Sequence, residues 1–164
     1  MKYNDLSQLI KCYLDKDKIC TNAENAMKLT ENFSLQEMTR TSRQVDNQPN
    51  QDEIENLRLL CENVLQPIRD NFGVVNVTSG YRGVVLNRLV GGSTSSQHCK
   101  GMAADFKVKD MAECFDWIKD NIEFDQLIDE YNLSWIHISF SKFGNRKQVL
   151  KAVKSKMGTV YMVQ

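Results

Sequence analysis

Two short segments alternate between apolar and polar positions. In Met102-Ala-Ala-Asp-Phe-Lys-Val108, Ala104, Phe106 and Val108 fall on one face of an extended chain, and Ala103, Asp105 and Lys107 on the other. In Trp135-Ile-His-Ile-Ser-Phe140, Ile136, Ile138 and Phe140 share one face, and Trp135, His137 and Ser139 the other. Both read as strands that bury one face on a core and hold polar groups on the opposite one. Val74-Val-Asn-Val-Thr78 alternates in the same way. Phe124 to Ile128 reads as a further strand, and Val160 to Val163 as an edge strand.

Elsewhere the period is helical. Residues 5 to 16 predict a short amphipathic helix capped by Asp5, with Leu6, Ile10, Tyr13 and Leu14 on one side. Ser34 and Glu37 form a capping-box signature, flanked by a Phe33/Met38 hydrophobic staple. Asn50 and Glu53 repeat that logic. Behind them Ile54, Leu57, Leu60, Cys61, Val64 and Ile68 line one side of the main core helix. Pro67 near its end predicts a kink or a tighter turn. Val84 to Leu89 reads as a short helix closed by Gly91-Gly92. Asp110 should cap a helix with Met111, Cys114, Phe115 and Ile118 inward. Helices and strands mix without regular β-α-β alternation. That favours an α+β fold, a single domain with a mostly antiparallel sheet flanked by helices. The polar stretch 17–30 reads as a linker or cover, so residues 1–29 form an N-terminal extension and residues 30–164 the domain.

Composition narrows the function classes. The chain has 164 residues, enough for one real core. It has 21 basic and 21 acidic residues, which argues against a nucleic-acid partner. Between Ser141 and Gln164 there are six basic residues and no acidic one. Such a run reads as a solvated face, or one that attracts an anionic polymer such as a cell wall. No apolar run approaches the about 18 residues of a membrane span. Met1 to Leu14 lacks the pattern of a signal peptide, so synthesis in the cytoplasm is expected, with action at the cell wall reached by another route. The five cysteines (Cys12, Cys20, Cys61, Cys99 and Cys114) are odd in number and form no Cys-x-x-Cys pair. Reduced thiols are expected, with Cys61 and Cys114 in the core.

The chain has two histidines, His98 and His137. With Asp105 they make two imidazoles and one carboxylate, a ligand set suited to one catalytic Zn2+ with a fourth position open. Asp105 and His137 lie on the polar faces of their strands. His98 would arrive from the preceding loop, where Gly101 tolerates unusual backbone angles. Cys99, beside His98, has no second cysteine or extra histidine to support it as nucleophile or ligand.

Ser96-x-His-x-x-Gly-x-Ala-x-Asp105 followed by Trp135-x-His137 resembles the zinc D-Ala-D-Ala carboxypeptidases and related peptidoglycan endopeptidases of the M15 peptidase family. The likeness is greatest to the branch common in bacteriophages and prophages. It covers roughly residues 30 to 150, and includes Asn32–Thr39, Val64–Arg69, Thr78–Arg82, Leu86-Asn87, Val90–Gly92, Phe124–Ile128 and Asn145–Gln148. The resemblance implies a Hedgehog/DD-peptidase-like fold and a zinc-dependent peptidase acting on peptidoglycan stem peptides. It also implies a lysin-like or virion-borne route to the cell wall and a monomer. The same scaffold occurs in the Hedgehog signalling domain, so a non-catalytic zinc-stabilised binding module is the alternative. Arg82 matches the family arginine that holds a substrate carboxylate. Ser96 matches a substrate-binding serine, or simply caps its loop. Many members place Glu or Asp three residues before the last histidine ligand; here that residue is Ser134. In Gln126-Leu-Ile-Asp-Glu130, alternation alone leaves Asp129 and Glu130 equally open as general base. The phage-type pattern aligns Glu130 with the base, and Asp129 is the reserve.

Overall fold

The computed structural model describes residues 27–156 and 158–164. The expected helix at 5–16, Cys12 and Cys20 lie outside the described residues. Helix α1 (Leu35–Met38) begins where Ser34 accepts a hydrogen bond from the Glu37 backbone. At α2 (Gln51–Leu60) the capping box is complete. Asn50 accepts from the Glu53 N–H at 3.0 Å, and Glu53 accepts from the Asn50 N–H at 2.7 Å. The irregularity at Pro67 takes the form of a wider turn. Cys61–Leu65 is π-helical, with the Gln66 N–H reaching the Cys61 carbonyl, and α3 (Gln66–Phe72) resumes with Pro67 in its first turn. A proline ring crowds the carbonyl four residues back and has no N–H to offer it; the wider turn accommodates both.

The remaining elements are β1 (Asn76–Ser79), α4 (Val84–Leu89), a 3-10 turn (Gln97–Lys100), β2 (Ala103–Lys107), α5 (Met111–Asn121), β3 (Gln126–Glu130), β4 (Trp135–Ser139), β5 (Gln148–Ser155) and β6 (Gly158–Val163). Asp110 occupies the cap position of α5, but its side chain makes no capping bond. The strands form one six-stranded sheet in the order β1-β2-β4-β3-β5-β6. Only β3 and β5 run parallel. This is the expected α+β architecture. Strand β5 has no counterpart in the sequence reading, because Lys151 and Lys154 interrupt its apolar positions.

One face of the sheet carries the core. Ala104 and Phe106 of β2, Leu127 of β3, and Ile136 and Ile138 of β4 are fully buried there, with Ile54, Leu57, Leu60, Val64 and Ile68 of the long helix and Cys114 and Ile118 of α5. Truncating such a side chain costs about 2–5 kcal/mol. Met27 and Leu29 join the same core, and the Leu35 N–H donates to the Met27 carbonyl at 2.8 Å. Met27 and Leu29 both fall within the expected extension. The basic run after Ser141 is not uniformly solvated. Arg146 pairs with Asp125 at 2.6 Å, Lys151 with Asp129 at 3.4 Å and Lys147 with Glu123 at 3.8 Å.

Gly101 ends the 3-10 turn with φ of 68°. A Cβ there would lie 2.3 Å from the Glu53 carbonyl oxygen of α2. The backbone of a capped helix cannot yield to it. Gly101→Ala is expected to lower stability by about 2–4 kcal/mol, from overpacking plus the left-handed backbone penalty. Urea denaturation checks this, and an unchanged midpoint would show that the turn relaxes freely.

Candidate metal centre

Strands β2 and β4 pair antiparallel with Asp105 directly opposite His137. Phe106 opposes Ile136 and Ala104 opposes Ile138, so burying the apolar face turns the carboxylate and the imidazole to the other side together. His98 reaches them from the 3-10 turn. Its Nδ1–H donates to the Gly80 carbonyl at 2.7 Å, which leaves Nε2 for the site. His98 Nε2 stands 3.2 Å from His137 Nδ1 and 3.3 Å from Asp105 Oδ1; His137 Nδ1 is 2.8 Å from the same oxygen. Three candidate ligand atoms thus lie within 4.8 Å of one another. Zinc bonds of about 2.0–2.2 Å at tetrahedral angles separate donors by about 3.4 Å. The donor set and its spacing therefore fit one zinc.

The electrostatics suit a cation. Burial works against the Asp105 carboxylate, yet the charges and hydrogen bonds of His98 and His137 outweigh it and hold Asp105 well below the usual range. Burial lowers the His98 pKa, against the opposing pull of Asp105. His98 is 1% exposed, whereas Asp105 and His137 are each 13% exposed, so the cluster opens to one side.

Supporting bonds surround the candidate ligands. Gln97, next to His98, donates to Asp125 at 2.9 Å, and Arg146 clamps the same carboxylate with bonds of 2.8 and 2.6 Å. The Arg146 hydrogen bonds lower the Asp125 pKa against its burial. The Arg82 N–H donates to the His98 carbonyl at 3.1 Å. The Arg82 guanidinium approaches Asp105 to 3.8 Å, while its buried Nε has no partner. A buried donor left unpaired costs about 1–3 kcal/mol, a penalty that a ligand oxygen would remove.

The register of β3 separates the two acids that alternation left equal. Ile128 opposes His137 and Glu130 opposes Trp135, so Glu130 lies on the same face as His137, two pairs along the ladder. Asp129 opposes Ile136 on the other face. Asp129 accepts the Leu133 N–H at 2.5 Å and pairs with Lys151. It thereby braces a turn in which Tyr131, Asn132 and Leu133 all have positive φ. Glu130 is 7% exposed, and burial raises its pKa, opposed by the charge of His137 and assisted by those of Asp105 and Asp129. Ser134 spends its hydroxyl on the Tyr131 carbonyl within the same turn.

Ser96 precedes the 3-10 turn with no side-chain capping bond, so the loop-capping alternative is not formed. Cys99 stays outside the three-ligand set, its thiol pushed up by burial. Tyr161 escaped the sequence reading. Glu130 pairs with Ala152 and Ala152 with Tyr161, which places the phenol on the metal face beyond the smallest side chain of β5. Burial, then the negative charge of Glu130, raise its pKa. The edge strand was legible in the sequence, but the link between Glu130 and Tyr161 passes through β5.

An open cluster of two imidazoles and a carboxylate, beside a buried acid and an arginine, defines a mononuclear metallohydrolase type of centre. The model of the Peptidase M15 family matches residues 31–139, about two thirds of the chain, and the protein belongs to that family of zinc-dependent peptidases. No curated protein matches the chain. Among the described residues, no helix is long and apolar enough to cross a membrane.

Proposed function

We propose that the protein hydrolyses amide bonds in peptidoglycan stem peptides, as a D-Ala-D-Ala carboxypeptidase or an endopeptidase, with Glu130 as general base. The observation that carries this reading is the placement of Glu130 on the face that also holds His98, Asp105 and His137, while Asp129 is engaged on the opposite face. His98, Asp105 and His137 would hold a zinc ion, which when bound would supply Lewis acidity towards an amide carbonyl and water. Glu130 takes the proton from the attacking water and delivers it to the leaving nitrogen. Arg82 holds a substrate carboxylate through parallel N–H bonds, using the donor that has no partner in the protein. Ser96 adds a hydroxyl on the His98 loop.

Arg82→Ala is expected to keep zinc and to lose on the order of 2–4 kcal/mol of transition-state binding. Turnover of a substrate with a free C-terminus, measured beside metal content, checks this; unchanged turnover would remove Arg82 from the site. The whole reading is tested by mass spectrometry of muropeptides digested with the zinc-loaded protein. New stem-peptide termini are expected. If zinc is bound and no muropeptide is cut, the zinc-stabilised binding module replaces the peptidase.

A further inference from the structure

We propose that the cleft beside the metal centre is a subsite for a second substrate carboxylate, bound by Arg40 and Arg43 while Arg82 holds the first. The identity of the ligand rests on the peptidase reading above. The cleft has a volume of about 530 Å³, and its lining includes Arg40, Arg43 and Arg82 with Thr78, Ser79 and Leu86. That is ample for a small ligand and more than one carboxylate fills. No acidic residue lines it. Among the described residues, no ion pair joins Arg40 or Arg43 to a carboxylate, and Arg40 feels Glu37 only at a distance.

Arg40 and Arg43 are exposed, and the backbone that carries Arg40 is tied to that of Arg82. Asn47 is buried, and its amide donates to the Thr39 carbonyl at 2.8 Å and the Tyr81 carbonyl at 3.0 Å. Its oxygen accepts the Gly83 N–H at 2.7 Å. These contacts flank Arg40 on one side and bracket Arg82 on the other, so one side chain sets the spacing of the two backbones. The Tyr81 N–H adds a bond to the Met38 carbonyl at 2.7 Å. On the Arg43 side, the Thr41 hydroxyl accepts the Arg43 N–H at 3.1 Å.

Three guanidinium groups around one cleft repel each other; Asp105, 3.8 Å from Arg82, offsets part of the charge there, and no carboxylate pairs with Arg40 or Arg43 among the described residues. A ligand with two anionic groups relieves the repulsion, whereas one with a single carboxylate relieves only part of it. Leu86 would pack against the carbons joining the two groups. Guanidinium also suits phosphate. Carboxylate is favoured because the cleft meets the metal centre at Arg82, where the scissile amide of a peptide must lie. The ligand class is therefore a peptide with two carboxylates close together.

The test compares N-acetyl-glycyl-D-glutamate with N-acetyl-glycyl-D-glutamine, which differ by one carboxylate. Their binding to the zinc-loaded protein is measured by calorimetry. The glutamate form should bind the wild-type protein about tenfold tighter or more. In Arg40→Gln/Arg43→Gln that ratio should fall towards one, with zinc content and circular dichroism reporting an intact fold. If the double variant does not fold, Arg43→Gln alone, at an exposed loop position, carries the same readout. A ratio unchanged by the substitutions, or near one in the wild type, overturns the subsite even if muropeptides are cut. Preferential binding lost in the variant, without muropeptide cleavage by the wild type, supports the subsite and removes the peptidase reading. A glycerol-phosphate oligomer that binds more tightly than the glutamate peptide would overturn the assignment to carboxylate.

Discussion

Glu130→Gln should lower muropeptide turnover by roughly a hundredfold or more while zinc stays at one ion per chain. The substitution keeps size and hydrogen-bonding capacity and removes only the basic oxygen. Glu130 is buried on the same sheet face as His137, two pairs along the ladder, and burial raises its proton affinity. Asp129 differs in role although it is equally buried. Its carboxylate caps the Leu133 N–H and pairs with Lys151. Three left-handed residues in that turn cost about 1–2 kcal/mol each, so the cap has a structural task. Asp129→Asn is therefore expected to act on stability before chemistry. Chromatography of digests, with metal analysis of the same samples, separates the cases. Wild-type turnover in Glu130→Gln would eliminate it as base, and loss of turnover in a stably folded Asp129→Asn would move the role there.

His137→Ala should abolish both zinc retention and hydrolysis. Of three ligands on one side of the sheet, two remain, and His98 and Asp105 alone form a weak site. The strand itself should persist, because Ile136 and Ile138 on its other face are fully buried. A readout apart from activity follows from linkage. Zinc that binds only the folded state raises the melting temperature of the wild type, and this rise should vanish in His137→Ala. A folded variant that keeps its zinc through gel filtration would remove His137 from the ligand set.

Much of this centre was legible before any fold was known. Asp105 and His137 each sit amid apolar residues at alternate positions, and the pleat of a strand sends alternate side chains to opposite faces. Once the core claims Phe106, Ile136 and Ile138, the carboxylate and the imidazole must face the other way. The capping box at Asn50 was legible for a similar reason, since its partners are three residues apart. Groups whose partners are distant in sequence were not. Asp129 and Glu130 are neighbours on a strand with mixed faces, and only the pairing with β4 shows which one joins His137. Arg146 looked like part of a solvated basic run until Asp125, 21 residues away, was found to accept its guanidinium.

The sequence by itself determined the face each strand offers, and with it the shared side of the candidate ligands Asp105 and His137, and the α+β class, because these follow from periodicities of two and 3.6 residues. Tertiary structure decided which strand lies beside which, and with it the side of Glu130, the approach of Tyr161 across β5 and the meeting of Arg40, Arg43 and Arg82 around one cleft. Those neighbours are set by packing of the common core and by single distant bonds such as those of Asn47, 34 residues from Tyr81. No local pattern in the chain records such a contact.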